Sequence, residues 1–130
     1  MEKQYPIRVM LLVVAFAVLS ISERLQAQDP VKVDSKHHSV VAENDSIRIL
    51  RIIYGPGEKS VMHDHPSGLY VLLTDQKVRM TLPDGKSIDI SGKAGEAGFT
   101  SAGKHSPENT SDKAFEVILV ELKPKMQKSN

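Results

Sequence analysis

Cysteine is absent from this 130-residue chain. No disulfide can therefore stabilise the protein in an oxidising compartment, and attachment to a membrane through a lipidated cysteine is excluded. A small domain of this kind depends on burying its own hydrophobic core, to which a bound metal or a second subunit adds stability.

An excess of charge of either sign is also absent. The formal net charge is +1, and removal of residues 1–27 leaves basic and acidic residues in equal number. This balance does not favour binding to nucleic acid or to an anionic membrane surface. We therefore expect no nucleic-acid partner.

The chain has no apolar run long enough to span a membrane comfortably. Residues 9–21 form an apolar or small-residue run, but a spanning helix needs about 20 such residues. Lys3 and Arg8 precede the run and Ala27 follows it, which is typical of a secretory signal peptide. We predict cleavage after Ala27, a periplasmic or secreted location and no stable membrane insertion after cleavage. Retention of the segment as an N-terminal anchor is the alternative.

A long helical period is missing from the rest of the chain. Short runs rich in valine and isoleucine alternate with turn signals, among them residues 83–86, and this pattern is typical of an all-β sandwich or barrel. We predict strands at residues 39–43, 46–54, 60–65, 69–74, 77–82, 87–90, 97–102, 104–109 and 114–122.

The most informative residues are three histidines in two separated segments. His63 and His65 are two positions apart, so on a strand both side chains point to one face while Asp64 points away. Neutral imidazole is the commonest nitrogen ligand of transition metals, and His105 from a neighbouring strand completes a three-histidine face. The sequence therefore predicts a metal site at His63, His65 and His105.

The residues around these histidines resemble the two motifs of the cupin superfamily. The first motif matches as Gly57-x5-His63-x-His65. The second matches for the most part as Gly95-x5-Ser101-x-Gly103-x-His105-x3-Asn109, with one residue fewer than the motif between Gly103 and His105. The chain departs from the pattern where the family places a glutamate ligand, since Leu69 or Tyr70 stands there, and Ser101 replaces the family's proline. Small single-domain bacterial cupins of an uncharacterised secreted group are the nearest resemblance.

This resemblance implies an all-β fold, a double-stranded β-helix (jelly-roll) barrel, with a helical signal peptide before it. The expected organisation is a signal peptide at residues 1–27, an N-terminal extension with an edge strand at 28–43, the cupin domain at 44–122 and a tail at 123–130. It also implies a divalent transition metal as cofactor: iron, manganese, zinc, nickel or copper.

Four further residues are candidates for the site. Glu108 replaces the missing carboxylate ligand if a bulge turns it inward, and it is otherwise a solvated glutamate. Asn109 has the parity of His105 and either binds a substrate or closes a turn. Tyr70 either lines the pocket as a hydroxyl donor or is a core aromatic. Arg51 meets a substrate carboxylate if its parity faces the interior.

Residues outside the motifs have plainer interpretations. His37 and His38 are adjacent, so they point to opposite faces if extended, and we expect both to be exposed to solvent. Glu116 and Glu121 are expected at the rim of the barrel or in salt bridges.

Two functions fit the sequence. The first is a metal-dependent oxidoreductase, dioxygenase-like, or an isomerase that acts on a small molecule. The second is a protein that binds a metal or a small ligand without turnover. Because residues 46–54 and 114–122 are apolar on both faces, we also expect a homodimer that packs sheet to sheet.

Overall fold

The computed structural model describes residues 28–125, which form one short helix and nine strands. The predicted signal peptide and residues 126–130 lie outside this range. No helix within the described part of the chain is long and apolar enough to cross a membrane. The elements are α1 (Pro30–Val33), β1 (His38–Glu43), β2 (Ile47–Tyr54), β3 (His63–His65), β4 (Gly68–Leu72), β5 (Gln76–Thr81), β6 (Ser87–Gly92), β7 (Ala97–Thr100), β8 (Gly103–Asn109) and β9 (Phe115–Leu122).

The strands form two antiparallel sheets. One has five strands in the order β1-β2-β9-β4-β7, and the other has four in the order β3-β8-β5-β6. Strands distant in sequence are neighbours in space, since β2 pairs with β9 along its whole length. The predicted all-β double-sheet jelly roll is confirmed.

In β2, the even-numbered residues from Leu50 to Tyr54 face the interior between the two sheets. Leu50, Ile52 and Tyr54 are buried, whereas Arg51 and Ile53 are exposed. Burying an aliphatic or aromatic side chain of this size contributes about 1.5–3 kcal/mol. The core cluster consists of Leu50, Ile52, Tyr54, Val78, Phe115 and Leu119.

Two glycines of the predicted motifs occupy turns with left-handed backbone. Gly57 has φ of 71° and Gly95 has φ of 88°, a conformation that costs glycine little and other residues more. The amide of Gly57 donates a hydrogen bond of 3.1 Å to the carbonyl of Asn109. The first and second motifs are therefore joined through the backbone.

The N-terminal segment crosses the barrel beside the first histidine motif. Asp29 caps α1 by accepting a hydrogen bond from the amide of Val31, and Pro30 occupies the first turn, where it suits a helix. The carbonyl of Gln28 accepts a bond of 2.9 Å from the amide of Asp64 in β3. A four-residue helix is too short to produce a helical period, so the sequence pattern did not predict it.

Candidate metal centre

Pairing between β3 and β8 brings the two histidine motifs together. His63 lies directly opposite His105 in this antiparallel ladder, and His65 lies opposite Gly103. The ring centroid of His63 is 4.9 Å from those of both His65 and His105, and the His65 and His105 centroids are 5.2 Å apart. His63 and His65 are buried, as their alternation with Asp64 predicts.

A fourth histidine enters the same space from β1. His38 is 2% exposed, and its ring centroid lies 4.8 Å from that of His63 and 5.7 Å from that of His65. The prediction that His37 and His38 are exposed is wrong, because α1 and the following turn fold this segment against the barrel. We call His38, His63, His65 and His105 the histidine cluster.

One ring nitrogen from each of His38, His63 and His65 lies within 4.8 Å of the other two. Three nitrogens that bind one zinc ion at about 2.0–2.1 Å lie within about 4.2 Å of one another. Small side-chain rotations therefore bring this group into ligation range. His105 is outside this tightest group but borders it through His63 and His65.

The hydrogen bonds of His63 leave its Nε2 atom available for a metal. Its Nδ1 atom lies 2.9 Å from the carbonyl oxygen of Val61 and 3.0 Å from Oγ of Ser60. A carbonyl only accepts, so the proton belongs on Nδ1 and the lone pair on Nε2. That Nε2 atom is buried and has no hydrogen-bond partner within residues 28–125, which is costly for an imidazole unless something else binds it.

The Nδ1 atoms of His65 and His38 are occupied in the same way. Nδ1 of His65 donates to Oε1 of Glu121 over 2.6 Å, and Nδ1 of His38 donates to the backbone carbonyl of Asp34 over 3.2 Å. Histidines that bind metals commonly donate their second ring N–H to a carboxylate or a carbonyl, which sets the tautomer and the ring orientation. The chemistry of this donor set therefore fits a transition metal.

Burial keeps the imidazoles of His38, His63 and His105 neutral. Burial, reinforced by the neighbouring histidines, lowers the pKa of His38 to about 4, of His63 to about 3 and of His105 to about 4. Only neutral imidazole binds a metal. His38, His63 and His105 are therefore in a metal-binding protonation state at neutral pH.

Asp34 supports two of the histidines at once. Its backbone carbonyl accepts from His38, and its buried carboxylate accepts from Oγ of Ser60 over 2.5 Å and from Nδ1 of His37 over 2.6 Å. Burial raises the pKa of this carboxyl, but the hydrogen bonds from Ser60 and His37 outweigh it and hold the pKa below the ordinary value. Ser60 in turn hydrogen-bonds to His63, so Asp34, which follows α1, is linked to both His38 and His63.

Glu121 places a carboxylate beside the histidine cluster, at a position that neither of the two motifs includes. It is 1% exposed and lies between His65 and Arg48, whose Nε donates to it over 2.6 Å. Burial raises the pKa of Glu121, and the bonds from His65 and Arg48 outweigh that effect and lower it. The expectation of salt bridging was correct, but Glu121 is buried inside the barrel. Its parity with the buried Phe115 and Leu119 in β9 is the sequence signal for this position.

Two other predicted site residues, Arg51 and Glu108, lie outside the cavity lining. Arg51 points outward and pairs with Glu116, so the suggestion that it meets a substrate inside the barrel is wrong. Glu108 lies opposite Arg79 and does not line the cavity described below. Neither residue contacts the histidine cluster.

Asn109 closes a turn. Its amide nitrogen donates to the carbonyls of Tyr54, Gly55 and Lys113, and its oxygen accepts from the amide and hydroxyl of Ser111. Because every hydrogen-bonding group of this side chain is used by the protein, Asn109 has none left for a substrate.

A cavity of about 250 Å³ adjoins the histidine cluster, all four members of which line it. Tyr70 lines it as well, with its ring packed across Gly98, where a Cβ atom would come within 2.9 Å of the phenolic oxygen. We call the following six aliphatic side chains of the lining the apolar wall: Ile52, Leu72, Val78, Met80, Val117 and Leu119.

Solved structures with similar folds include a cupin domain. A cupin domain from Bordetella pertussis is 22% identical over 67% of this chain and 92% of its own, with a TM-score of 0.62. An uncharacterized conserved protein with a double-stranded β-helix domain from Klebsiella pneumoniae is 19% identical over 65% and 70%, with a TM-score of 0.53. The polyketide cyclase RemF from Streptomyces resistomycificus is 17% identical over 65% and 63%, with a TM-score of 0.50.

These structural similarities show the double-stranded β-helix fold of the cupins and leave the activity open. The sequence matches no protein-family model and no curated protein. What the chain does must therefore be argued from the histidine cluster and the cavity.

Proposed function

We propose that this chain is a small metal-binding cupin that holds one divalent transition-metal ion and exposes it to a small molecule in the adjoining cavity. His38, His63 and His65 are the ligands, with His105 at a fourth position. The observation that carries the proposal is the buried Nε2 atom of His63, which has no partner among the described residues and lies beside two further imidazoles.

The nature of the ligands narrows the choice of metal. Imidazole suits zinc, copper, iron and nickel, whereas manganese prefers carboxylate oxygen, which this set does not supply directly. A divalent ion held there supplies a Lewis acid for an oxygen-bearing ligand. The neutral imidazoles leave its charge uncompensated, so the protein itself favours a ligand oxygen that is anionic or easily ionised.

Ligand substitutions test the metal site directly. Zinc titration of the metal-stripped full chain should give a measurable affinity that falls at least about tenfold in His38→Gln and His65→Gln, because each loses one bond to the ion. His105→Gln shows whether the fourth position is used. His37→Gln is the comparison variant, because both ring nitrogens of His37 are bonded to Asp34 and Glu58 and none is left for a metal, and its affinity should fall less than that of His38→Gln. Equal affinity in wild type and His38→Gln would remove His38 from the ligand set.

Turnover separates the two functional classes. A dioxygenase-like oxidoreductase or an isomerase is the first candidate. Binding without catalysis is the second, and it is favoured by one observation: apart from the histidines, no ionisable acid or base of the described chain lines the cavity except Tyr54 and Tyr70. Oxygen uptake by the iron-loaded protein with a panel of small phenols and acids identifies the oxidoreductase, and silence with every metal supports binding alone.

We also propose that the protein is exported to the cell envelope as a secreted member of the cupins. The support is the sequence of residues 1–27, a basic start followed by an apolar run. Intact-mass analysis of periplasmic material should give an N-terminus close to Gln28. Recovery of the full-length chain from the membrane would contradict this.

A homodimer remains a proposal with a specific surface. On the five-stranded sheet, Val41 is 58% exposed, Ile53 41% and Leu122 50%, and exposed apolar groups on one sheet are a common basis for self-association. Light scattering at micromolar concentration should give twice the chain mass. A monomer there that persists at higher concentration would contradict the proposal.

A further inference from the structure

The cavity is lined mainly by uncharged side chains. Apart from the histidine cluster, none of the described residues that line it is an aspartate, glutamate, lysine or arginine. Among the other polar groups of the lining, Tyr54 donates to Asp34 and Thr100 donates to the carbonyl of Ser101, which leaves the hydroxyl of Tyr70 and the side chain of Gln76. A charged group on a ligand would find no counter-ion there.

The strand register places the apolar wall next to the histidines. In the five-stranded sheet His38 is opposite Ile52, which is opposite Val117, which is opposite Leu72. In the other sheet Pro107 is two residues from His105 and opposite Met80. Two residues along a strand span about 6.6 Å, so a ligand held at the histidines meets aliphatic side chains within about one ring length.

The histidine cluster and the apolar wall therefore favour different chemical groups on one small ligand. At the histidine cluster, a dication held by neutral imidazoles favours an oxygen that can ionise. At the apolar wall, an unpaired carboxylate or ammonium would lose its hydration without compensation, which is strongly unfavourable. An apolar cavity of about 150 Å³ already holds benzene, so the 250 Å³ present here accommodates one substituted ring.

We infer that the cavity selects a single-ring phenolic molecule with its hydroxyl oxygen at the histidine cluster and an uncharged ring against the apolar wall. The inference rests on the proposed metal site and adds the class of ligand. It distinguishes between two molecules of the same size: one with a methyl group at the far end of the ring is accepted, and one with a carboxylate at that position is rejected.

A matched pair of probes tests this selection. The zinc-loaded full chain is titrated calorimetrically with 4-methylcatechol and with 3,4-dihydroxybenzoate, which share the metal-binding hydroxyls and differ at the far substituent. We expect the methyl compound to bind at least about tenfold more tightly, because the carboxylate would lie against aliphatic side chains without a counter-ion. Equal affinities, or tighter binding of the acid, would overturn the inference.

A substitution in the apolar wall provides a second test of the ligand class. Met80→Lys adds a cation at similar length and should improve binding of the acid by at least about tenfold, since it supplies the missing counter-ion. Met80→Leu keeps the wall apolar and should keep the wild-type preference. Zinc affinity is measured first in both variants. If Met80→Lys fails to fold, the comparison of the two probes on the wild-type chain remains the test.

The outcomes separate this inference from the metal proposal. Zinc binding together with preference for the methyl compound supports both. Zinc binding without that preference overturns the ligand class and leaves the metal site intact. If the wild-type chain does not bind zinc, copper, iron or nickel, both proposals fail.

Discussion

The histidine cluster and the apolar wall line the same cavity, but their side chains are held in place by different forces. Each of His38, His63 and His65 is oriented by a hydrogen bond from its Nδ1 atom to a backbone carbonyl or a carboxylate. The wall is held by packing, which carries no directional bond. The cluster therefore costs stability to maintain, whereas the wall supplies it, and the four predictions below test that contrast.

The largest expected effect is on metal binding in His63→Leu. This change removes the central ligand, and zinc affinity should fall at least about a hundredfold, because His63 contacts each of the other three histidines. It also removes the buried Nε2 atom that has no partner, so the metal-free variant should unfold at no lower denaturant concentration than wild type. Urea titrations with and without zinc measure both quantities. A strongly destabilised metal-free variant would mean that His63 stabilises the fold itself.

Leu119→Ala should show the opposite pattern. Leu119 is 6% exposed in the core cluster, and truncation of a buried leucine costs about 2–5 kcal/mol of unfolding free energy. Zinc affinity of the folded variant should change by less than about threefold, because no ligand bond is altered. A large loss of affinity would show that the wall and the cluster are mechanically coupled.

The third effect is a loss of stability of the metal-free protein in acid. Burial lowers the pKa of His38, His63 and His105 to about 4, 3 and 4 from the ordinary value of 6.5, so the unfolded chain binds more protons between these values. Unfolding free energy should therefore be constant above about pH 7 and fall as the pH drops from about 6.5 to 4, by several kcal/mol in total. The lowered pKa values of Asp34 and Glu121 add to this loss only as the pH falls below about their ordinary values, 3.8 and 4.5.

Urea midpoints at pH 7.5, 6 and 5 measure this slope. The variant His38→Leu has one fewer buried imidazole to protonate, so its slope should be shallower than that of wild type. An identical slope would mean that His38 is not among the groups responsible.

The smallest expected effect concerns Glu121, the carboxylate that accepts a hydrogen bond from His65. Glu121→Gln keeps an oxygen that can accept from His65 but loses its charge, and zinc affinity should fall about tenfold. The control is Glu116→Gln on the same strand, since Glu116 faces outward and pairs with Arg51. Calorimetric titration of both variants makes the comparison, and equal affinities would show that the charge of Glu121 does not tune the site.

Local patterns predicted more of the fold than of the site. The alternation of residues 77–82 and the apolar runs at 46–54 and 114–122 correspond to β5, β2 and β9 within a residue or two, because side-chain period and turn residues act over short distances. The Gly57 and Gly95 turns were also predictable, since few other residues adopt those backbone angles. The four-residue helix α1 was not.

The missed site residues share one cause. His38 was interpreted as exposed because its segment has no motif, and only the turn after α1 reveals that it starts β1 with its ring inward. Glu121 had a parity signal, but parity cannot tell which face of a two-sided apolar strand is inside. Asp34 carried no signal at all, since its importance depends on Ser60 and His38 together.

By itself, the sequence determined that His63 and His65 share a face and that the chain is built from short strands, because both depend on the period of a single strand. Only the tertiary structure decided that His38, Asp34 and Glu121 join them. Those residues are brought to β3 by the N-terminal crossing and by the β4–β9 pairing, in which Gly68 of β4 lies opposite Glu121 of β9. Contacts between such distant segments depend on how whole sheets pack, which no local pattern encodes.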